Sequence, residues 1–211
     1  MTKDWIRRRK RDPYYRKARA EGYRSRAAYK LKEINARLHL MRNGSRVLDI
    51  GASPGGWSQV AREIVGHGGM VVAVDLSPME PIDGVDFIHG DIEDQMVQEK
   101  VLESCREYDA VISDASPNLS GNRTLDRGRS LALTWSVLTI AARVLRYRGS
   151  VLVKTFQGSE VEELIEEFGS QYNSVERIKP RSSLKRSIEI YIAFRGRKDD
   201  RQIDDGTLQF S

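Results

Sequence analysis

Short apolar runs alternate with amphipathic stretches along most of the chain. Arg46–Ile50, Met70–Val74, Val85–Ile88, Tyr108–Ser113 and Ser150–Lys154 are brief and nearly continuously apolar, which predicts buried strands. Tyr172–Ile178 and Ser187–Phe194 add two more. The last alternates, with Ile188, Ile190, Ile192 and Phe194 on one face and Glu189 and Tyr191 on the other. Between the strands the spacing turns helical. Ala28, Leu31, Ile34, Ala36 and Leu38 predict a helix over Ser25–Leu40, and further helices are expected over Gly55–Val65 and Asp94–Ser104. Leu131, Trp135, Leu138, Ala142 and Leu145 mark a long amphipathic helix stopped by Gly149. Ser159 and Glu162 have capping-box spacing ahead of Leu164–Phe168. Residues 1–22 read as weakly ordered, 115–130 as a polar loop and 199–211 as a frayed tail.

Strands alternating with helices predict an α/β fold, a mostly parallel sheet with helices on both faces. No helix separates the last two strands, so the final strand is expected to pair antiparallel. The chain divides into a basic arm and helix (1–40), the α/β domain (41–196) and a polar tail (197–211).

Composition narrows the class. With 39% hydrophobic and 31% charged residues the chain reads as soluble and globular. No apolar stretch approaches the ~18 residues of a membrane span, and the basic N-terminus lacks the apolar core of a secretory signal. Cys105 is the only cysteine, which excludes an internal disulfide and a cysteine zinc site and suits a reducing cytoplasm. His39, His67 and His89 are scattered without metal-ligand spacing, so no metal is expected. The net charge of +5 is unevenly placed. Residues 1–32 carry thirteen Lys/Arg against three acids, +10, and the remainder carries −5. Trp5, Tyr14, Tyr15 and Tyr23 interleave with these cations, a pairing of charge and stacking faces that fits nucleic acid. A later basic cluster, including Arg177, Lys179, Arg181, Lys185 and Arg186, could extend that surface.

The chemistry concentrates in Val47-Leu48-Asp49-Ile50-Gly51-Ala52-Ser53-Pro54-Gly55-Gly56-Trp57. An apolar strand runs through an acid into a glycine-rich turn and then a helix, as at the nucleotide site of an open α/β sheet. The spacing is G-x-x-x-G-G, not the G-x-G-x-x-G that cradles a dinucleotide pyrophosphate. An adenosine-type ligand without that pyrophosphate fits, and S-adenosylmethionine (SAM) is the candidate. Asp49, Asp75, Asp91, Asp114 and Lys154 each fall at or just after a predicted strand end. In an open sheet those ends share the ligand-binding rim. Asp75 stands where an acid accepts from ribose hydroxyls. Asp91 could accept from an adenine amine, and Trp57 could pack beside the methionine portion.

Asp114 lies in Ser113-Asp114-Ala115-Ser116-Pro117-Asn118, which is not the Asn/Asp-Pro-Pro-aromatic run of exocyclic-amine methylation. Cys105 lies on a predicted helix away from the rim, so attack by a cysteine nucleophile is unsupported. What the rim offers is Lys154, costly to bury unless paired, with Glu189 within reach. Together with Gly22-Tyr23-Arg24-Ser25-Arg26-Ala27-Ala28-Tyr29-Lys30-Leu31, these segments resemble the FtsJ/RrmJ (RlmE) ribosomal-RNA 2′-O-methyltransferases over most of residues 12–195. Ser53 and Ser116 replace alanines usual in that family.

The resemblance implies a Rossmann-like, SAM-dependent methyltransferase fold. It implies a Lys-Asp-Lys-Glu set on Lys30, Asp114, Lys154 and Glu189, and SAM contacts on Gly55, Trp57, Asp75, Asp91 and Asp114, with Gly51 opening the loop. The reaction it implies is methylation of a ribose 2′-hydroxyl, most naturally of a uridine in large-subunit ribosomal RNA, the RNA partner being free or within the subunit. Lys154 would be the proton acceptor, or a charged group steering the oxygen; the sequence leaves both open. Methylation of tRNA or another RNA, and a non-catalytic RNA-binding assembly protein, are the alternatives. A nicotinamide oxidoreductase is disfavoured by the glycine spacing.

Overall fold

The computed structural model describes residues 12–118, 120–184 and 187–199. The basic stretch through Arg11 with Trp5, the pair Lys185 and Arg186, and the tail beyond Asp199 lie outside the described residues. Among the described residues seven strands form one sheet: β1 (Arg46–Ile50), β2 (Met70–Asp75), β3 (Asp86–His89), β4 (Tyr108–Ser113), β5 (Leu145–Phe156), β6 (Tyr172–Ile178) and β7 (Glu189–Arg197). Their order is β3-β2-β1-β4-β5-β7-β6. β1 to β5 run parallel, while β7 lies antiparallel between β5 and β6. The helices of the described residues are α1 (Pro13–Ala20), α2 (Ala28–Leu38), α3 (Gly56–Val65), α4 (Gln95–Ser104), α5 (Arg123–Val144) and α6 (Glu160–Gly169). Among the described residues no helix is long and apolar enough to cross a membrane.

Both faces of the sheet are covered, and the period-2 geometry of strands sorts their side chains between two cores. Leu48, Val72, Val111, Val153 and Ile192 pack with Val101 of α4, Leu138 of α5 and Leu164 of α6. Their chain neighbours Val47, Val71, Ile112, Leu152 and Tyr191 pack with Leu31 and Ile34 of α2 and Val60 and Ala61 of α3. The strand order reverses between β1 and β4. There the carboxyl ends of parallel strands open a crevice, the ordinary ligand position in such a sheet. Antiparallel β7 brings its amino end to this same rim, with Glu189 opposite Phe156.

Several elements differ from the sequence expectation. The weak order expected through residue 22 fails over α1. Asp12 caps that helix by accepting from the backbone N–H groups of Tyr14 and Tyr15, Pro13 opens it, and Ala18 is buried. Arg26 pairs with Asp12 and also donates to the Ser182 carbonyl. The expected 115–130 loop is helical from Arg123, because Asn122 accepts from the N–H groups of Thr124 and Leu125. That helix ends at Val144, and Gly149 lies inside β5, which starts five residues earlier than the apolar run indicates. The Ser159–Glu162 capping box is absent: Ser159 has helical φ and ψ and its side chain caps nothing.

Candidate active site

The turn after β1 presses against the turn after β4. Gly51 adopts φ +75°, and a Cβ there would collide with Ala115, reaching its Cα at 2.9 Å. Only glycine satisfies both demands. Beside this contact a cavity of about 360 Å³ opens at the rim, with Gly51, Asp75, Asp91, Asp114 and Leu133 among its walls. Asp75 accepts from the backbone N–H of Ser53 at 2.8 Å and of Ser77 at 2.7 Å, which fixes the carboxylate at the wall. Asp91 is held by the Glu93 N–H at 2.9 Å. Both carboxylates keep further lone pairs for hydroxyl or amine donors. A smaller recess lined by Ser25, Gly51, Trp57 and Asp114 adjoins the cavity. A mixed wall of apolar side chains and carboxylates at a glycine turn suits a nucleoside bearing a cationic side arm.

Four charged residues from four elements meet at the edge of this cavity. Lys154 Nζ lies 3.2 Å from Asp114 Oδ1 and 3.8 Å from Glu189 Oε1. Lys30 Nζ lies 3.2 Å from Glu189 Oε2 and 3.8 Å from Asp114 Oδ1. Each carboxylate therefore faces both ammonium groups, and the cluster balances to zero charge. Lys154 also donates to the Asp114 carbonyl at 2.6 Å. The two lysines are 8% and 7% exposed, a burial that charged side chains tolerate only when paired in this way. Burial would raise the Glu189 pKa, but the charges of Lys30 and Lys154 outweigh it and hold the carboxyl below its ordinary range.

Tyr191 completes the cluster and was missed from sequence. Its hydroxyl accepts from Lys30 Nζ at 2.8 Å and donates to Asp114 Oδ1 at 2.6 Å. Burial, then the Asp114 charge and hydrogen bond, push its pKa well above the ordinary value, so it remains a neutral donor. The signal was present: period-2 alternation puts Tyr191 on the same side as Glu189. Trp57 stacks on Tyr191 with centroids 5.7 Å apart and donates from Nε1 to the Ala27 carbonyl at 2.9 Å. That bond ties α3 to the start of α2, which carries Lys30.

Two residues of the segment through the glycine turn sit apart from these recesses. Asp49 is not a rim group. It lies within β1, is fully buried, and accepts from the Ser58 hydroxyl at 2.6 Å, while its Oδ1 has no partner. Burial first, opposed by the Ser58 bond and reinforced by the Asp114 and Asp75 charges, pushes its pKa up to about 7. Gly55 does not line either recess. It caps α3 at φ +106°, where a Cβ would run into Met79 and Ile82. Lys30, Asp114, Lys154 and Glu189 are brought together, and Gly51, Asp75, Asp91 and Asp114 share one cavity.

Comparison with known proteins is consistent with this arrangement. A Methanothrix thermoacetophila protein named ribosomal RNA large subunit methyltransferase E is 50% identical over 183 residues, covering 86% of this chain and 71% of its own. A Methanothermobacter thermautotrophicus protein of the same name is 48% identical over 92% of this chain and 94% of its own. The crystal structure of a Plasmodium falciparum protein assigned as a ribosomal RNA methyltransferase superposes with TM-score 0.73 at 31% identity, covering 83% of this chain and 98% of that one. Aeropyrum pernix fibrillarin, at 17% identity and TM-score 0.56 over 82% of this chain and 75% of its own, shares the fold. The profile of the FtsJ-like methyltransferases matches residues 23–197. The chain belongs to the FtsJ-like methyltransferase family.

Proposed function

We propose that the protein methylates a ribose 2′-hydroxyl in large-subunit ribosomal RNA, acting in the cytoplasm on the RNA or on the assembling subunit. The observation that carries this reading is the neutral cluster of Lys30, Asp114, Lys154 and Glu189 at the edge of the rim cavity. The substrate class follows the names of the relatives, which are close and matched over most of their length. SAM, when bound, supplies an electrophilic methyl group on a good leaving group. What the chain must supply is position and a route for one proton.

In this reading Asp75 and Asp91 bind the ribose hydroxyls and the adenine amine, and the Gly51 turn allows close backbone approach. Gly55 shapes that turn, and Trp57 supports the cluster from below. Lys30 and Glu189 place the ribose, and Lys154 addresses the 2′-oxygen. Lys154 in its neutral form takes the hydroxyl proton as the oxygen attacks, while Asp114 orients Nζ through its carbonyl and carboxylate. The basic arm of residues 1–32 holds the RNA by neutralising phosphates.

Labelled methyl transfer from SAM to large-subunit ribosomal RNA, to large subunits lacking the modification, and to tRNA tests the reading. The expected product carries its label on an alkali-resistant dinucleotide, because a methylated 2′-oxygen cannot attack its phosphate. Label on a base, or no transfer by protein that binds SAM, overturns it.

A further inference from the structure

The rim has a second half. From β3 to β4 it holds the cavity described above. Past the charged cluster it continues over β5, β7 and β6, since Phe156 faces Glu189 and Ile178 faces Tyr191 across the antiparallel pairs. There a larger groove of about 650 Å³ opens between the first turns of α5 and α6 and the ends of these strands. It shares no wall residue with the first cavity. It begins one residue either side of Glu189, at Ile188 and Ile190.

Its lining joins two chemistries. Arg127, Arg177 and Lys179 bring three positive charges against the Glu162 carboxylate, with the Glu160 carboxylate beside Gly158 at the edge. Arg177 is committed to Glu162, whose pKa that bond lowers. Lys179 donates to the neutral Ser187 carbonyl and keeps its charge uncompensated. Arg127 has no hydrogen-bond or ion-pair partner among the described residues. Against these cations stands an apolar patch: Ile188 is 39% exposed immediately before Glu189, with Ile190 beneath it. Uncompensated cations bordering an exposed apolar surface match a nucleotide, whose phosphate and base present those two demands side by side.

We infer that this groove seats the nucleotide adjoining the methylated one, its base on Ile188 and its phosphates on Arg127 and Lys179. The inference rests on the 2′-O-methylation reading and deepens it. A ribose held at the cluster leaves its strand only one unoccupied half of the rim to follow, because the cofactor cavity fills the other. The groove then reads the position of the strand, not the reacting oxygen.

The test compares wild type with Arg127→Gln/Lys179→Gln and with Ile188→Asp, using large-subunit ribosomal RNA lacking the modification, both as free transcript and within the large subunit. Arg106→Gln, an exposed change before the far end of β4, controls for lost charge alone. Both groove variants should raise KM for RNA about tenfold and leave SAM affinity within twofold of wild type. The double variant should also flatten the plot of log K against log salt by roughly 1.4, about 0.7 for each single-strand phosphate contact removed. Arg106→Gln should match wild type. If the wild type methylates the RNA and the groove variants equal it in KM and salt slope, the groove is not the subsite. A tenfold loss in Arg106→Gln as well would show general charge attraction and would also overturn it. If the wild type methylates no RNA, the proposed reaction falls and the groove with it.

Discussion

Lys154 and Tyr191 stand directly opposite each other across the antiparallel β5–β7 pair. Opposed residues in such a pair project from the same face. The register therefore sets the Lys154 ammonium and the Tyr191 hydroxyl against one carboxylate, that of Asp114. Removing that hydroxyl should break the hydrogen-bonded bridge from Lys30 to Asp114 without emptying the core. Tyr191→Phe keeps the stack on Trp57, so SAM affinity should hold while the single-turnover rate falls about tenfold, the worth of one charge-assisted hydrogen bond of ~1.5 kcal/mol. An unchanged rate would make Tyr191 a packing residue only.

Lys154 separates two roles by substitution. Lys154→Ala should lower methyl transfer by a hundredfold or more, within the usual range for a general base, with SAM binding kept. Lys154→Arg retains charge but cannot be deprotonated. If the lysine accepts the proton, the arginine variant should be nearly as slow as alanine. Substantial activity in Lys154→Arg would assign it to steering the oxygen, and near wild-type rates in Lys154→Ala would remove it from the reaction.

Asp75 should matter to the cofactor and not to the RNA. Asp75→Ala is expected to weaken SAM binding by about 1–3 kcal/mol in calorimetry, through unpaired hydroxyls and a loosened Ser53 turn. Equal affinities would take Asp75 out of the site.

Asp49 predicts a pH dependence of stability. Its folded pKa, about 7, lies above an unfolded value near ~3.9, so the native state holds this proton more tightly than the unfolded chain. Its contribution is most favourable below pH ~4, declines as pH rises towards 7, and is a constant penalty above that. Asp49→Asn, which cannot ionise, should gain on wild type by on the order of 3 kcal/mol between pH 4 and pH 8 in denaturant unfolding. Parallel stability curves would show that folding does not raise the Asp49 pKa.

The basic start can be tested without disturbing the fold. Removing residues 1–11 takes away six Lys/Arg and one acid yet spares Asp12, the α1 cap and Arg26 partner. RNA affinity and its salt dependence should both fall, with SAM affinity unchanged. An identical salt slope would leave the arm no part in RNA binding.

What the chain discloses before folding follows from how its signals arise. The buried parallel strands were legible because apolar runs bounded by acids and glycines have few other uses. The rim followed from topology alone, since strand ends in such a sheet converge. Helix α1 was hidden by its charge: seven of its residues are not fully buried, and only Ala18 touches the core deeply. The opening turns of α5 were hidden likewise, since Arg123, Arg127 and Gly128 satisfy no apolar period and Asn122 does the nucleating. Tyr191 escaped for the opposite reason. Alternation in β7 suggested one buried and one open face, whereas α2 and α3 cover the second face and make both interior. Asp49 was assigned by sequence position to a strand end, and one residue of pleat turns it into the core.

Of the seven described strands, the one that carries Glu189 and Tyr191 is synthesised last, yet it lies between two strands made before it. On a ribosome still translating, β6 has no edge to join, because its only neighbour in the finished sheet has not emerged. Lys30, Asp114 and Lys154 can be folded and in place while half of their counter-charges are missing. Nascent chains arrested before residue 189 should therefore be catalytically silent even where the cofactor half has formed. Threading β7 into the gap closes the sheet and assembles the charge cluster in one event.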